Sequence, residues 1–187
     1  LLQSSSLNAL PVLLSLLSDS AKTSSFLCGA AESPTHAGLL ALAALASTWP
    51  PAAPALLEHS AVERLLAVML ADEPISQAAA ASLLLSLSEG SPEAAARRAA
   101  RLWGTLAPAL AGLVSSRRHC LAERATAALC LVRLSPGPAD LPPVSASPRL
   151  ALTQPLMDLL ATLLLKDVLL AHRLLSGGHF MAAVTSE

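Results

Sequence analysis

One run of residues recurs along the chain. It reads Leu10-Pro11-Val12-Leu13-Leu14-Ser15-Leu16-Leu17, then Val62-Glu63-Arg64-Leu65-Leu66-Ala67-Val68-Met69-Leu70, then Ala107-Pro108-Ala109-Leu110-Ala111-Gly112-Leu113-Val114, then Gln154-Pro155-Leu156-Met157-Asp158-Leu159-Leu160. In each copy a proline, or Glu63 in its place, is followed by apolar residues two and five positions on. The first N–H groups of a helix have no partner within it, so proline there loses nothing, and the pattern predicts helix starts at these anchors. The anchors Pro11, Glu63, Pro108 and Pro155 are 52, 45 and 47 residues apart. A second, Ala- and Leu-rich element keeps the rhythm over Leu39 to Ala46, Ala78 to Ser88 and Ala125 to Ser135, with closing leucines Leu45, Leu87 and Leu134 spaced by 42 and 47. Periods of this size predict stacked helical units, each burying its apolar face against the next.

The punctuation between these runs agrees. Asp72-Glu73-Pro74 opens a helix that Ser88-Glu89-Gly90 closes, with Gly90 as a C-terminal stop. Ser91-Pro92-Glu93 places an N-cap, a first-position proline and an acid at the start of the next. Ser135-Pro136-Gly137-Pro138 ends a further unit, and the span 135–148 reads as a Pro-rich loop. Composition points the same way. Leu and Ala dominate a chain that is 53% apolar and 13% charged, while two Trp, two Phe and no Tyr leave little to favour strands. The expectation is one all-α domain over residues 1–187.

A mean hydropathy of +0.58 raises the membrane question. The longest uncharged stretch, Ser33 to Leu57, holds Pro34, Pro50, Pro51 and Pro54, which argue against a continuous spanning helix. Leu1-Leu2-Gln3-Ser4 has no basic region or cleavage signal and reads as the tail of a helix, so a piece of a longer protein is expected. Cys28, Cys120 and Cys130 have no metal-ligand spacing and read as small core residues of a reducing compartment, the cytosol or nucleus.

At Glu58 to Ser91 the residues resemble the armadillo repeat, a three-helix unit related to the HEAT repeat. His59-Ser60-Ala61-Val62-Glu63-Arg64-Leu65-Leu66 looks like its second helix and Ala78 to Ser91 like its third helix and closing turn. The likeness extends over roughly Leu7 to Leu175 and implies a right-handed α-solenoid of armadillo-like repeats. Peptide-binding members of that family are similar to one another in a Trp and an Asn on the third helix. Here Leu40, Ser82 and Leu129 stand at the Trp-like positions, and Ala44, Ser86 and Arg133 at the Asn-like ones, so that mode of peptide capture is not implied.

Residues for catalysis are not arranged as a known motif. His119-Cys120 with Glu123 is the most reactive-looking cluster, but neighbouring helical side chains point apart, and the simpler reading is a buried Cys beside a partly exposed His. His36, His59, His172 and His179 are scattered and read as surface or cap residues. Trp103 reads as packed between helices, and Trp49 either as core or as an exposed anchor. No cofactor or metal is expected, and the chain reads as a non-enzyme.

Charge is unevenly placed. Two bases face eight acids from Leu1 to Glu93, whereas Arg97, Arg98, Arg101, Arg117, Arg118, Arg124 and Arg133 face Glu123 alone from Arg97 to Arg133. These arginines form either a solvated face paired with neighbouring helices or a surface for an acidic protein segment. The scarcity of Lys and aromatics argues against nucleic acid. The reading is a protein-interaction scaffold. Its rivals are a purely architectural segment of a larger helical protein, for which Leu1-Leu2 and Val168-Leu169-Leu170 look like open interfaces, and a helical enzyme.

Overall fold

The computed structural model describes residues 34–49, 51–71, 73–135 and 147–176. Most of these residues lie in helices: α1 (Pro34–Thr48), α2 (Ala52–Glu58), α3 (Ala61–Leu70), α4 (Pro74–Gly90), α5 (Pro92–Ser115), α6 (Leu121–Leu134), α7 (Ser147–Lys166) and α8 (Val168–Ser176). No strand occurs among the described residues, so the fold is all-α. The first copy of the recurring run, with Cys28, Phe26, His179, Phe180 and most of the Pro-rich span, lies outside them.

α4 is the hub, in contact with α1, α2, α3, α5 and α6. Its sequence explains this, because Ala79, Ala80, Ala81, Leu83, Leu84 and Leu87 are all buried and together leave few directions free of apolar side chains. Small side chains let a neighbouring backbone come close, and the Cys130 thiol of α6 donates to the carbonyl of Ala81 at 3.2 Å. Burial pushes that thiol strongly upward from its ordinary value, with smaller opposing effects of Arg133 and Glu89. The core continues through Leu106, Leu110 and Val114 of α5 and Leu159 and Leu163 of α7. Trp103 is buried in it.

The second and third copies of the run differ in how they begin. In the second, Ser60 sits in the left-handed region (φ 59°) and separates α2 from α3. In the third, no such break occurs. Pro108 was expected at a helix start but lies inside the 24-residue α5, and Pro155 likewise lies inside α7. Pro108 is tolerated because it lies on the exposed side of α5, where a carbonyl without its helical donor costs less than it would in the core, and the apolar phase carries through. That phase is retained in Leu65, Val68, Leu110, Leu113 and Leu160, all buried. Met157 breaks it and is exposed, its place taken by Leu156.

Gly90 does end α4, but its conformation is not the left-handed one a glycine stop adopts. A Cβ built on it would lie 2.7 Å from the Cβ of Ala53 in α2. Glycine is needed there for close helix approach rather than for backbone freedom.

Candidate interaction surface

The seven arginines do not form one patch. α6 runs back from the end of α5 through the short turn 116–120, so Arg97, Arg98 and Arg101 lie toward one end of α5, and Arg117 and Arg118 beyond the other. Arg101 and Arg117 are 16 positions apart, about 24 Å at helical rise.

Four of the seven have partners, Arg98, Arg118, Arg124 and Arg133. Arg124 Nε donates to the Val114 carbonyl at 2.6 Å. That carbonyl belongs to the last turn of α5, where helix carbonyls lack intrahelical donors and the dipole favours a cation. Arg98 pairs with Glu63 of α3 at 3.6 Å, and Arg133 pairs with Glu89 of α4 at 3.3 Å. Both pairs are partly exposed, so each contributes little to stability, but both limit how far the guanidinium can reach. Arg118 has a partner of its own, and its backbone N–H donates to Ser116 Oγ at 3.3 Å. Arg97, Arg101 and Arg117 are exposed, and nothing among the described residues pairs with them.

The cluster His119–Cys120–Glu123 is organised otherwise than expected. His119 is the buried member and Cys120 the exposed one. Cys120 is the N-cap of α6, and Glu123 closes a reciprocal capping box, its Oε2 accepting from the Cys120 N–H at 2.8 Å. The same oxygen is 3.4 Å from His119 Nδ1. On the other side of the ring, Nε2 is 3.2 Å from Gln77 Oε1. The Gln77 amide donates to the Met69 carbonyl at 3.1 Å and also to that of Ala71, so its oxygen is the acceptor left and His119 Nε2 is the donor. Gln77 therefore caps the end of α3, Glu123 caps the start of α6, and His119 between them pins the turn that carries Arg117. Cys120 is also not the core residue expected from its type, because its place at an N-cap turns it toward solvent.

Among the described residues no group of three or more His, Cys, Asp or Glu side chains is placed to hold a metal, and no helix is long and apolar enough to cross a membrane. Of the positions at which peptide-binding armadillo proteins carry Trp, Leu40 and Ser82 are exposed and Leu129 is buried. Of the Asn-like positions, Ala44 and Arg133 are exposed and Ser86 half-buried, its Oγ donating to the Ser82 carbonyl of its own helix at 3.2 Å.

One surface was not singled out from the sequence, and a second was singled out only in part. The outer stripe of α5 runs through Arg97, Arg101, Gly104, Thr105, Pro108 and Gly112, all exposed. A spacing of three or four along this run would have found it once α5 was known to be one helix. The second is an apolar corner where α7 meets α8. Leu165 is 87% exposed and Leu169 80%, and Leu164 and Val168 also face out. The sequence had flagged Val168-Leu169-Leu170, of which Leu170 is packed against the core. No family model, characterised protein or solved structure matches the chain.

Proposed function

We propose that the chain is a non-enzymatic interaction scaffold of the armadillo/HEAT kind, its helices stacked as a right-handed solenoid that offers a surface to an acidic protein partner in the cytosol or nucleus. The order of helix contacts carries this reading. α1, α4, α6 and α8 touch in succession, and so do α3, α5 and α7, which is the pattern of two parallel rows in a stack. Arg97, Arg101 and Arg117, which nothing among the described residues pairs with, supply the charge for an acidic partner.

In such a stack each unit is stabilised mainly by its neighbours, so the end of a row opens before its middle. Native-state hydrogen exchange on the Leu163→Ala variant tests it, because Leu163 is fully buried in α7. The expected outcome is fast exchange in α7 and α8 with α4 still protected. Loss of protection in α4 and α8 together would refute the stack.

The exposed corner Leu165, Val168 and Leu169 favours a second reading. An apolar group of this kind suits contact with a further helical unit, which would make the chain an architectural segment of a longer array.

A further inference from the structure

The outer face of α5 combines two features that act on one occupant. Arg97 and Arg101 stand one turn apart on the same stripe, exposed and with no partner among the described residues. Beyond them the stripe carries only small residues, Gly104, Thr105, Pro108 and Gly112. A Cβ at Gly104 or at Gly112 would meet nothing within 4 Å, and Pro108, one turn from each, is exposed between them. Pro108 has no N–H to give to the carbonyl of Gly104, so that carbonyl lacks its helical donor.

We infer that this face takes an extended acidic polypeptide segment, with carboxylates on Arg97 and Arg101 and main chain laid along Gly104, Pro108 and Gly112. The inference rests on the interaction-scaffold reading and names its partner. Exposed guanidinium groups select carboxylates and hold them in pairs. A helical partner has already used its own N–H groups, whereas an extended one has N–H groups to offer the Gly104 carbonyl. Arg97 to Gly112 spans 15 positions, about 22 Å of helix, which about seven extended residues would cover. The engaged arginines cannot serve the same role without giving up Glu63, Glu89 or the Val114 carbonyl.

The test is fluorescence anisotropy on the whole chain with two labelled peptides, a run of glutamates followed by alanines and the reverse order, which present both directions of the segment. Binding of one of them at low salt, weakening as salt rises, is expected. Arg97→Glu with Arg101→Glu should weaken it about tenfold, from two lost pairs and two new repulsions. Gly104→Leu should weaken it several-fold while leaving the urea midpoint unchanged or higher, because the new side chain meets open space and leucine is the better helix former. Lys166→Glu, on α7, should change nothing. Absence of binding by both peptides would overturn the inference, as would indifference to the Arg97/Arg101 and Gly104 variants. Tighter binding of a labelled oligothymidylate would overturn it in favour of nucleic acid. Loss of binding with Arg117→Glu alone would move the site to the turn, refuting this inference while the scaffold reading stands. Failure of the graded hydrogen exchange would remove the stack itself, whatever the peptides do.

Discussion

Replacing Gly90 by alanine sets two known effects against each other at an exposed position. By helix propensity the change should help, since glycine in a helix is about 1 kcal/mol worse than alanine. Packing opposes it. The added Cβ would lie 2.7 Å from Ala53 Cβ, closer than two carbons approach. Ala53 is fully buried between helices and has no flexible end to swing aside, so α2 itself must shift. Overpacking of that kind costs about 1–3 kcal/mol, and the net expectation is a loss of about 1 kcal/mol. A double-mutant cycle separates the two effects. With Ala53→Gly already in place the collision is gone, and Gly90→Ala should stabilise by about 0.5–1 kcal/mol. Urea melts of the four proteins, compared at constant slope, measure both steps. Stabilisation by Gly90→Ala in the parent background, with no coupling to residue 53, would refute the close approach of α4 and α2 and return the glycine to a simple role as a helix stop.

Three further outcomes follow from the structure. Leu84 is fully buried in the helix that touches five others, so Leu84→Ala should cost about 2–5 kcal/mol in the same melts; a loss under about half a kcal/mol would mean that α4 is not the centre of the core. Peptide mapping after brief alkylation of the native protein should find Cys120 modified and Cys130 protected until denaturant is added, because one caps α6 in solvent and the other is sealed against Ala81. Cys130 should also make stability fall with alkaline pH: its folded value is raised by burial above the ordinary 9.0, so its contribution is whole below that pH and declines above it as the unfolded thiol ionises, by up to about 1.4 kcal/mol per pH unit. Cys130→Ala should remove that slope, and an unchanged slope would rule the thiol out as its source.

Much of the helical content was legible because it is written in local terms. Pro74 and Gly90 bound α4 as the punctuation had it, and Pro92 opens α5. Ala80, Leu84 and Leu87, all within the Ala- and Leu-rich run Ala78 to Ser88, are fully buried. The errors arose where a local signal had two meanings. Proline is at home both at a helix start and on a solvent-facing helix interior, and only the exposure of Pro108 decides between them. Cysteine and histidine both tolerate burial, and which of Cys120 and His119 turned inward depended on Gln77, 42 residues away. A charge run in sequence becomes a patch only if its residues share a face, and the turn after α5 sends Arg117 to the opposite end from Arg97.

By itself, then, the amino-acid order determined that this chain is helical and where its apolar phase runs, since helix propensity, capping and periodicity act over a few residues. Tertiary structure decided which arginines are left for a partner, why Gly90 must be glycine, and which face of α5 is exposed. Those outcomes depend on the distance between groups far apart in the chain: Arg133 is spent because Glu89 is 3.3 Å away, and Arg97 remains unspent because no acid among the described residues reaches it.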